Sequence, residues 1–335
     1  MGDPAGIGPE IIARCLADAD LRASARFVVH GCGACLTLAQ ERCGVLSNWY
    51  RVDAAHDPTH RWLDDVVVLD DTSHGDLITL ATEPTKRGGS ASKQWVESAI
   101  ADALLEPHAP RHVDAVVTGP ISKQSWNMAG FKWLGHTELL AARTKSKRAC
   151  MVFESPQLRV ALATVHIPLM SLRDVLTIGC VFEPIDLGWQ ACQQLGITRP
   201  RIAVCGLNPH AGEDGLLGDE ENRVIAPAIS MAREQGIDAH GPFPADTIFR
   251  QAVGGRWDMV VAMYHDQGLI PLKLLGGGTA VNWTIGLPII RTSPDHGTAF
   301  DIAGSSVANH DSMRSAISLA VQLAQRNATM AATTS

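Results

Sequence analysis

Short apolar runs alternate with stretches of helical periodicity along most of the chain. Strands are predicted at 25–30, 66–69, 113–118, 201–205 and 259–263, where Val, Ile, Ala and Met follow one another with few polar interruptions. Two more are predicted at 150–153 and 158–165, joined by the turn Glu154-Ser155-Pro156-Gln157. Helices are predicted at 11–16, 35–43, 90–105, 122–128, 137–144, 186–195, 219–235 and 311–326, with 327–335 a polar tail expected to fray. Strand followed by helix, repeated, implies the α/β class with a mostly parallel sheet.

The segment 264–304 departs from this pattern. It is too glycine-rich for one long helix and brings together His265, Lys273, Asn282, Arg291 and His296. Because 259–263 reads as a buried strand, His265 and Asp266 fall at its carboxyl end, the edge where open α/β sheets bind ligands. His166 and His210 follow strands in the same way. Three imidazoles at one sheet edge fit a divalent cation with room left for substrate, although each alone also reads as a structural histidine. Lys273, Asn282 and Arg291 read as donors to a carboxylate or phosphate, or as ordinary surface groups. Gly135-His136-Thr137 opens a helix, where it either faces a phosphate or caps and packs. Asp246, in the loop predicted at 242–247, reads as an N-cap.

Composition narrows the classes. The 335 residues are 46% hydrophobic, 19% charged and 5% aromatic, enough for two domains or one large α/β unit. A net charge of −7 disfavours nucleic acid as a partner while allowing a local basic pocket. No apolar run reaches the ~20 residues of a membrane helix and no signal peptide is evident, so a cytoplasmic protein without a membrane partner is expected. Eight cysteines are scattered singly except Cys32 and Cys35, whose CxxC spacing admits a redox pair. With no second pair nearby, they are read as small residues in the first turn of a helix. Neither 1–10 nor Gly31-Cys32-Gly33 completes the dinucleotide fingerprint GxGxxG; the glycines of MGDPAGIGPE either hold an anion or form a tight turn.

GDPAGIGPE, TGPISK, GHTE, GLNPHAGE, GPFPADT, YHDQG and RTSPDHGTAFDIAG occur in that order across nearly the whole chain. In these motifs it resembles the 4-hydroxythreonine-4-phosphate dehydrogenases of vitamin B6 biosynthesis. HGTAFDIAG is similar to the nucleotide-binding loop of isocitrate and isopropylmalate dehydrogenases, which bind NAD without a glycine fingerprint. The resemblance implies two α/β/α domains of that dehydrogenase type with a substrate cleft between them. The first would span 1–124 and 287–330, and the second 125–286 with the dimer contacts. It implies a metal site at His166, His210 and His265, supplied by both subunits of a homodimer with shared active sites. The metal would be Zn²⁺, with Mg²⁺ or Co²⁺ as alternatives. It also implies a phosphorylated substrate at His136, Thr137, Lys273, Asn282 and Arg291. NAD, or NADP in its place, would lie at His296, Gly297, Thr298, Asp301 and Gly304.

The implied reaction is oxidation of 4-phosphooxy-L-threonine to its 3-keto acid, which decarboxylates to 3-amino-2-oxopropyl phosphate. Apart from the resemblance, Lys273 or Asp246 is expected to take the hydroxyl proton, because the loops that carry them flank His265. Alternatives are a paralogue acting on D-threonate or D-erythronate 4-phosphate or on a cis-dihydrodiol, and a non-catalytic metal- or small-molecule-binding protein. In the family an apolar strand precedes GDPAGIGPE, whereas here Met1 stands where it would end. A chain extended upstream is expected to be more stable.

Overall fold

A computed structural model describes residues 1–55, 65–133 and 135–334. The chain forms two compact units, one of 1–146 with 287–324 and one of 147–286 with 325–335. Residues 125–146 therefore pack with the first unit. Trp126, Leu139 and Leu140 share a buried cluster with Val96 and Ile100 there.

The first unit begins with helices α1 (Gly8–Ala17) and α2 (Ala19–Ser24), strand β1 (Phe27–Gly31) and helix α3 (Gly33–Cys43). Strands β2 (Tyr50–Asp53) and β3 (Val66–Asp70), helix α4 (Lys86–Ala103), strand β4 (Ala115–Val117) and helices α5 (Lys123–Met128) and α6 (His136–Thr144) follow. Strands β1, β3 and β2 pair in parallel with β3 central and buried at every position. Strand β2 was not evident from sequence because most of its residues are exposed, which removes the apolar signal. Helices α4 and α5 approach so closely that a Cβ on Gly89 would lie 2.0 Å from the Ser125 carbonyl oxygen.

The second unit contains β5 (Cys150–Glu154), β6 (Arg159–Leu162), α7 (Leu172–Val175), α8 (Ile178–Gln194) and β7 (Arg201–Cys205). It continues through α9 (Ala226–Glu234), β8 (Asp238–Phe243), α10 (Ala245–Val253), β9 (Met259–Ala262), α11 (His265–Gly276) and β10 (Val281–Ile285). Its strands lie in the order β10-β5-β6-β9-β7-β8. The pairs β6/β9, β9/β7 and β7/β8 are parallel, and β10/β5 and β5/β6 antiparallel. Ile248 and Phe249 of α10 and Leu269 and Leu272 of α11 bury one face of this sheet against Phe153, Val160, Ala203 and Val260. Alternation turns Met259 to the opposite face, where it meets Gly188 of α8. Strand β11 (Ile290–Pro294) pairs with β4 in the first unit, and helix α12 (Asp311–Thr334) ends the described chain.

Four predicted boundaries are corrected. Helix α8 starts at Ile178, well before 186: Thr177 caps it by accepting from the Cys180 N–H, and the internal Pro184 hides its first turns in the sequence. The helix predicted at 219–235 is a π-helical turn, Glu221–Ile225, followed by α9, because Pro227 has no N–H to continue the ladder from Arg223. The 242–247 loop is the end of β8 and the start of α10. Pro242 disguises β8, which tolerates it as an edge strand. The tail expected to fray continues α12 to Thr334. Among the described residues, no helix is long and apolar enough to cross a membrane.

Candidate active site

Strands β6, β9 and β7 are parallel neighbours, so their carboxyl ends open at one edge of the second unit's sheet. His166 follows β6, His265 opens α11 just after β9, and His210 follows β7. The rings of His166 and His265 approach to 5.9 Å between centroids at 42°. Nδ1 of His265 lies 2.7 Å from Asp266 Oδ1, which fixes that nitrogen as the donor and leaves Nε2 to bind a metal. Helix α11 starts so near the sheet because residue 268 is glycine. A Cβ there would lie 2.7 Å from Val160 Cγ1 and 2.9 Å from Leu162 Cδ2. Among the described residues no three His, Cys, Asp or Glu side chains gather closely enough to hold a metal, so His210 does not complete the pair within one chain.

His210 sits in an unusual loop. Its φ is 53°, and Ala211, Gly212, Glu213 and Asp214 follow at 54°, 84°, 44° and 53°, a left-handed turn of consecutive residues. Such backbone costs L-residues roughly 1–2 kcal/mol each and persists only where the surroundings impose it. Glu221 of the π turn contributes to that hold. Its buried carboxylate accepts the N–H groups of Leu207 and Asn208, both at 2.7 Å, and the Asn208 side-chain amide at 2.9 Å.

In the first unit, Arg291 of β11 is 2% exposed and donates from Nη2 to Thr118 Oγ1 at 2.7 Å. Burial brings its guanidinium down to about 9. His136, the first residue of α6, has its ring edge-on to Trp126 at 5.6 Å. Burial, and then the charges of Arg291 and the chain's amino terminus, holds its imidazole well below the ordinary histidine value. His136 Nε2 is buried without a hydrogen-bond partner among the described residues. Thr137 does not cap: Gly135 occupies the N-cap and no side chain accepts there. The first-turn N–H groups of α6, a neutral imidazole and a buried guanidinium together form a donor set for an anion.

The remaining expected residues lie elsewhere. Asn282 is on β10 with its Oδ1 buried and unpartnered among the described residues. Lys273 is exposed on α11 rather than in a loop, eight residues after His265 and so roughly 12 Å further along the axis. Asp246 is exposed in the first turn of α10, where Pro244 holds the N-cap, so Asp246 is not the cap.

The 296–304 segment folds as a turn with Ala299 at φ 43° and Gly304 at φ 82°. The Ile7 N–H donates to the Thr298 carbonyl at 2.9 Å, and the Gly304 N–H donates to Glu10 Oε1. His296 Nε2 is buried without a partner among the described residues. Asp301 is exposed, as is Gly297. Glu10 and Gly304 also line a small recess, open to solvent, with Cys35 and Arg42. Glu10, Thr118 and Glu221 shape these sites yet carry little signal in the sequence beyond Glu10's place inside GDPAGIGPE.

A 4-hydroxythreonine-4-phosphate dehydrogenase of Geobacter metallireducens is 44% identical over 335 residues, covering 97% of this chain and 94% of the relative. A D-threonate 4-phosphate dehydrogenase of Salmonella typhimurium is also 44% identical, over 325 residues and 97% of each chain. The crystal structure of 4-hydroxythreonine-4-phosphate dehydrogenase from Klebsiella pneumoniae superposes with a TM-score of 0.84 at 42% identity, over 97% of this chain and 96% of that one. The family described as pyridoxal phosphate biosynthetic protein PdxA matches residues 25–320, and the chain belongs to that family.

Proposed function

We propose that the protein is a cytoplasmic, NAD-dependent and divalent-metal-dependent dehydrogenase. It oxidises 4-phosphooxy-L-threonine to the 3-keto acid, which loses its carboxylate to give 3-amino-2-oxopropyl phosphate, in pyridoxal phosphate biosynthesis. The observation that carries this reading is the approach of the His166 and His265 rings at the carboxyl edge of adjacent parallel strands. An imidazole donor set with one ring oriented by Asp266 fits a borderline cation such as Zn²⁺ or Co²⁺. His166, His265 and His210 would hold the cation, which would supply Lewis acidity to the substrate's secondary alcohol. The turn at 296–304 fits a nicotinamide dinucleotide through the unpartnered His296 Nε2 and the small residues around it.

The chain's own groups supply binding and proton handling. Arg291, its charge kept from solvent, offers a planar fork to the substrate's anionic groups, with His136, Thr137, Lys273 and Asn282 as further donors. The neutral His136 donates without adding a second cation beside Arg291. Lys273 or Asp246 takes the hydroxyl proton. Both are exposed, so each must reach the substrate from an open helix surface.

A homodimer completes the site in this reading. His210 stands outside the His166–His265 pair, and the second unit exposes Leu169, Met170, Leu216, Ile270 and Leu274, with Met170 87% and Leu216 82% exposed. Ile270 and Leu274 share one face of α11, and Leu216 ends the His210 loop. Apolar groups clustered near the candidate ligands suit a second copy of the chain.

The relative named for D-threonate 4-phosphate at equal identity supports a second reading, oxidation of that sugar-acid phosphate. NADH formation with 4-phosphooxy-L-threonine, D-threonate 4-phosphate and D-erythronate 4-phosphate, before and after chelation, separates them. The expected result is the highest kcat/KM on phosphooxythreonine, lost on chelation and restored by Zn²⁺ or Co²⁺. A higher value on threonate phosphate selects the second reading, and full turnover after exhaustive chelation removes the metal from both.

A further inference from the structure

Cys32 and Cys35 lie at the entry to α3, immediately after β1. Cys32 is the N-cap residue and Cys35 is in the first turn, so the CxxC spacing brings both residues to one helix end. Gly33 between them is required. A Cβ there would lie 2.4 Å from Arg51 Nε, and its N–H donates to Asp70 Oδ1 at 2.7 Å, tying the loop to the end of β3. Both thiols are free, and Cys35 lines the solvent-open recess with Glu10 and Gly304. Cys35 is thus within reach of a small oxidant, and Cys32, three residues away at the same helix end, is 8% exposed.

We propose that Cys32 and Cys35 form a reversible dithiol–disulfide site that reacts with hydrogen peroxide. The Cys32 thiolate attacks one peroxide oxygen, the O–O bond breaks, and Cys32 sulfenic acid and water form. The Cys35 sulfur then attacks the sulfenyl sulfur, the S–O bond breaks and a second water leaves. Two thiols and one peroxide become one disulfide and two waters, the sulfurs being oxidised and the peroxide reduced.

The asymmetry of the pair gives each sulfur its role. The neighbouring Cys35 thiol holds the Cys32 thiol below its ordinary range against the opposing effect of burial. The neighbouring Cys32 thiol, with burial second, pushes the Cys35 thiol up, as suits a resolving thiol that reacts only once its neighbour is oxidised. Cys15, Cys150, Cys192 and Cys205 lack such a partner, and burial pushes each up to about 12. They should be inert by comparison.

The test treats the reduced full-length chain with equimolar hydrogen peroxide and follows intact mass and peptide maps. The expected product is lighter by two hydrogen atoms, carries a 32–35 disulfide and returns to the dithiol with dithiothreitol. Cys35→Ser should stop at a sulfenic acid on Cys32 that dimedone captures, and Cys32→Ser should give neither product. No mass loss, or a disulfide elsewhere, overturns the proposal. Both residues pack with Leu36, Val68 and Trp95, so a serine variant that fails to fold would be uninformative. The unaltered protein then decides: at neutral pH iodoacetamide should label Cys32 roughly tenfold faster than Cys15, Cys150, Cys192 or Cys205. Equal rates overturn the proposal.

Discussion

Arg291 is a guanidinium held almost wholly out of water, at the expense of its own hydration. A guanidinium 2% exposed, with one N–H committed to Thr118, is retained in a core only where something offsets its desolvation. In the proposed reading an anionic substrate contributes to that offset. Arg291→Lys keeps the charge but loses the fork, so KM for the phosphorylated substrate should rise about tenfold to a hundredfold, the equivalent of about 1.5–3 kcal/mol, with kcat changed less. An unchanged KM in steady-state assays would remove Arg291 from the site. Histidine burial makes a second, independent prediction. His136 and His30 are both held below the ordinary 6.5, burial being the larger cause in each. Arg291 and the amino terminus act on His136. Asp102, 3.2 Å from His30 Nε2, opposes the shift at His30, where Arg111 and the amino terminus reinforce it. Below about 6.5 the unfolded chain takes up protons that the folded chain refuses, so stability should decline as pH falls through that value and level off above it. Urea midpoints from pH 7.5 to 5.5 should therefore drop, and His30→Asn should flatten the slope. A slope unchanged in that variant contradicts the assignment.

At the level of elements, Gly268 sets how closely α11 can lie on β6 and β9, and through that where His265 begins. An alanine on an open helix face usually stabilises by about 0.5–1 kcal/mol over glycine. Here its methyl would meet Val160 and Leu162, so Gly268→Ala should destabilise by about 1–3 kcal/mol in urea unfolding and weaken Zn²⁺ or Co²⁺ binding. A variant as stable as the parent, with unaltered metal affinity, would show that the contact is not limiting. The same elements show what a sequence discloses. Buried strands such as β3, β7 and β9 were legible because both faces are covered, so apolar residues run on without a break. Strands β2 and β8 were not, one for its exposed face and the other for Gly241-Pro242. The strand-end positions of His166, His210 and His265 could be inferred from strand order alone. The left-handed backbone at His210 and the clamp from Glu221 could not, because they depend on contacts between segments well separated in the chain.

For the whole molecule, the assembly reading has a direct test. If His210 reaches the metal of a second subunit, His166→Ala and His210→Ala homodimers are each inactive. Subunit exchange between them creates heterodimers with one intact site, so up to about a quarter of wild-type activity should return. No recovery in mixtures shown to exchange would remove the shared site. Glutamate at Met170 and Leu274 should shift sedimentation toward monomer and abolish turnover with it. The loop from His210 to Asp214 carries a different consequence. Ala211→Gly should relieve about 1 kcal/mol of backbone cost and raise the melting temperature, while Zn²⁺ binding weakens as the imbalance of forces that orients His210 relaxes. On the proposed reading, breeding this enzyme for heat tolerance alone would drift toward sturdier variants that bind a metal less well. Robustness and turnover would then compete within five peptide units.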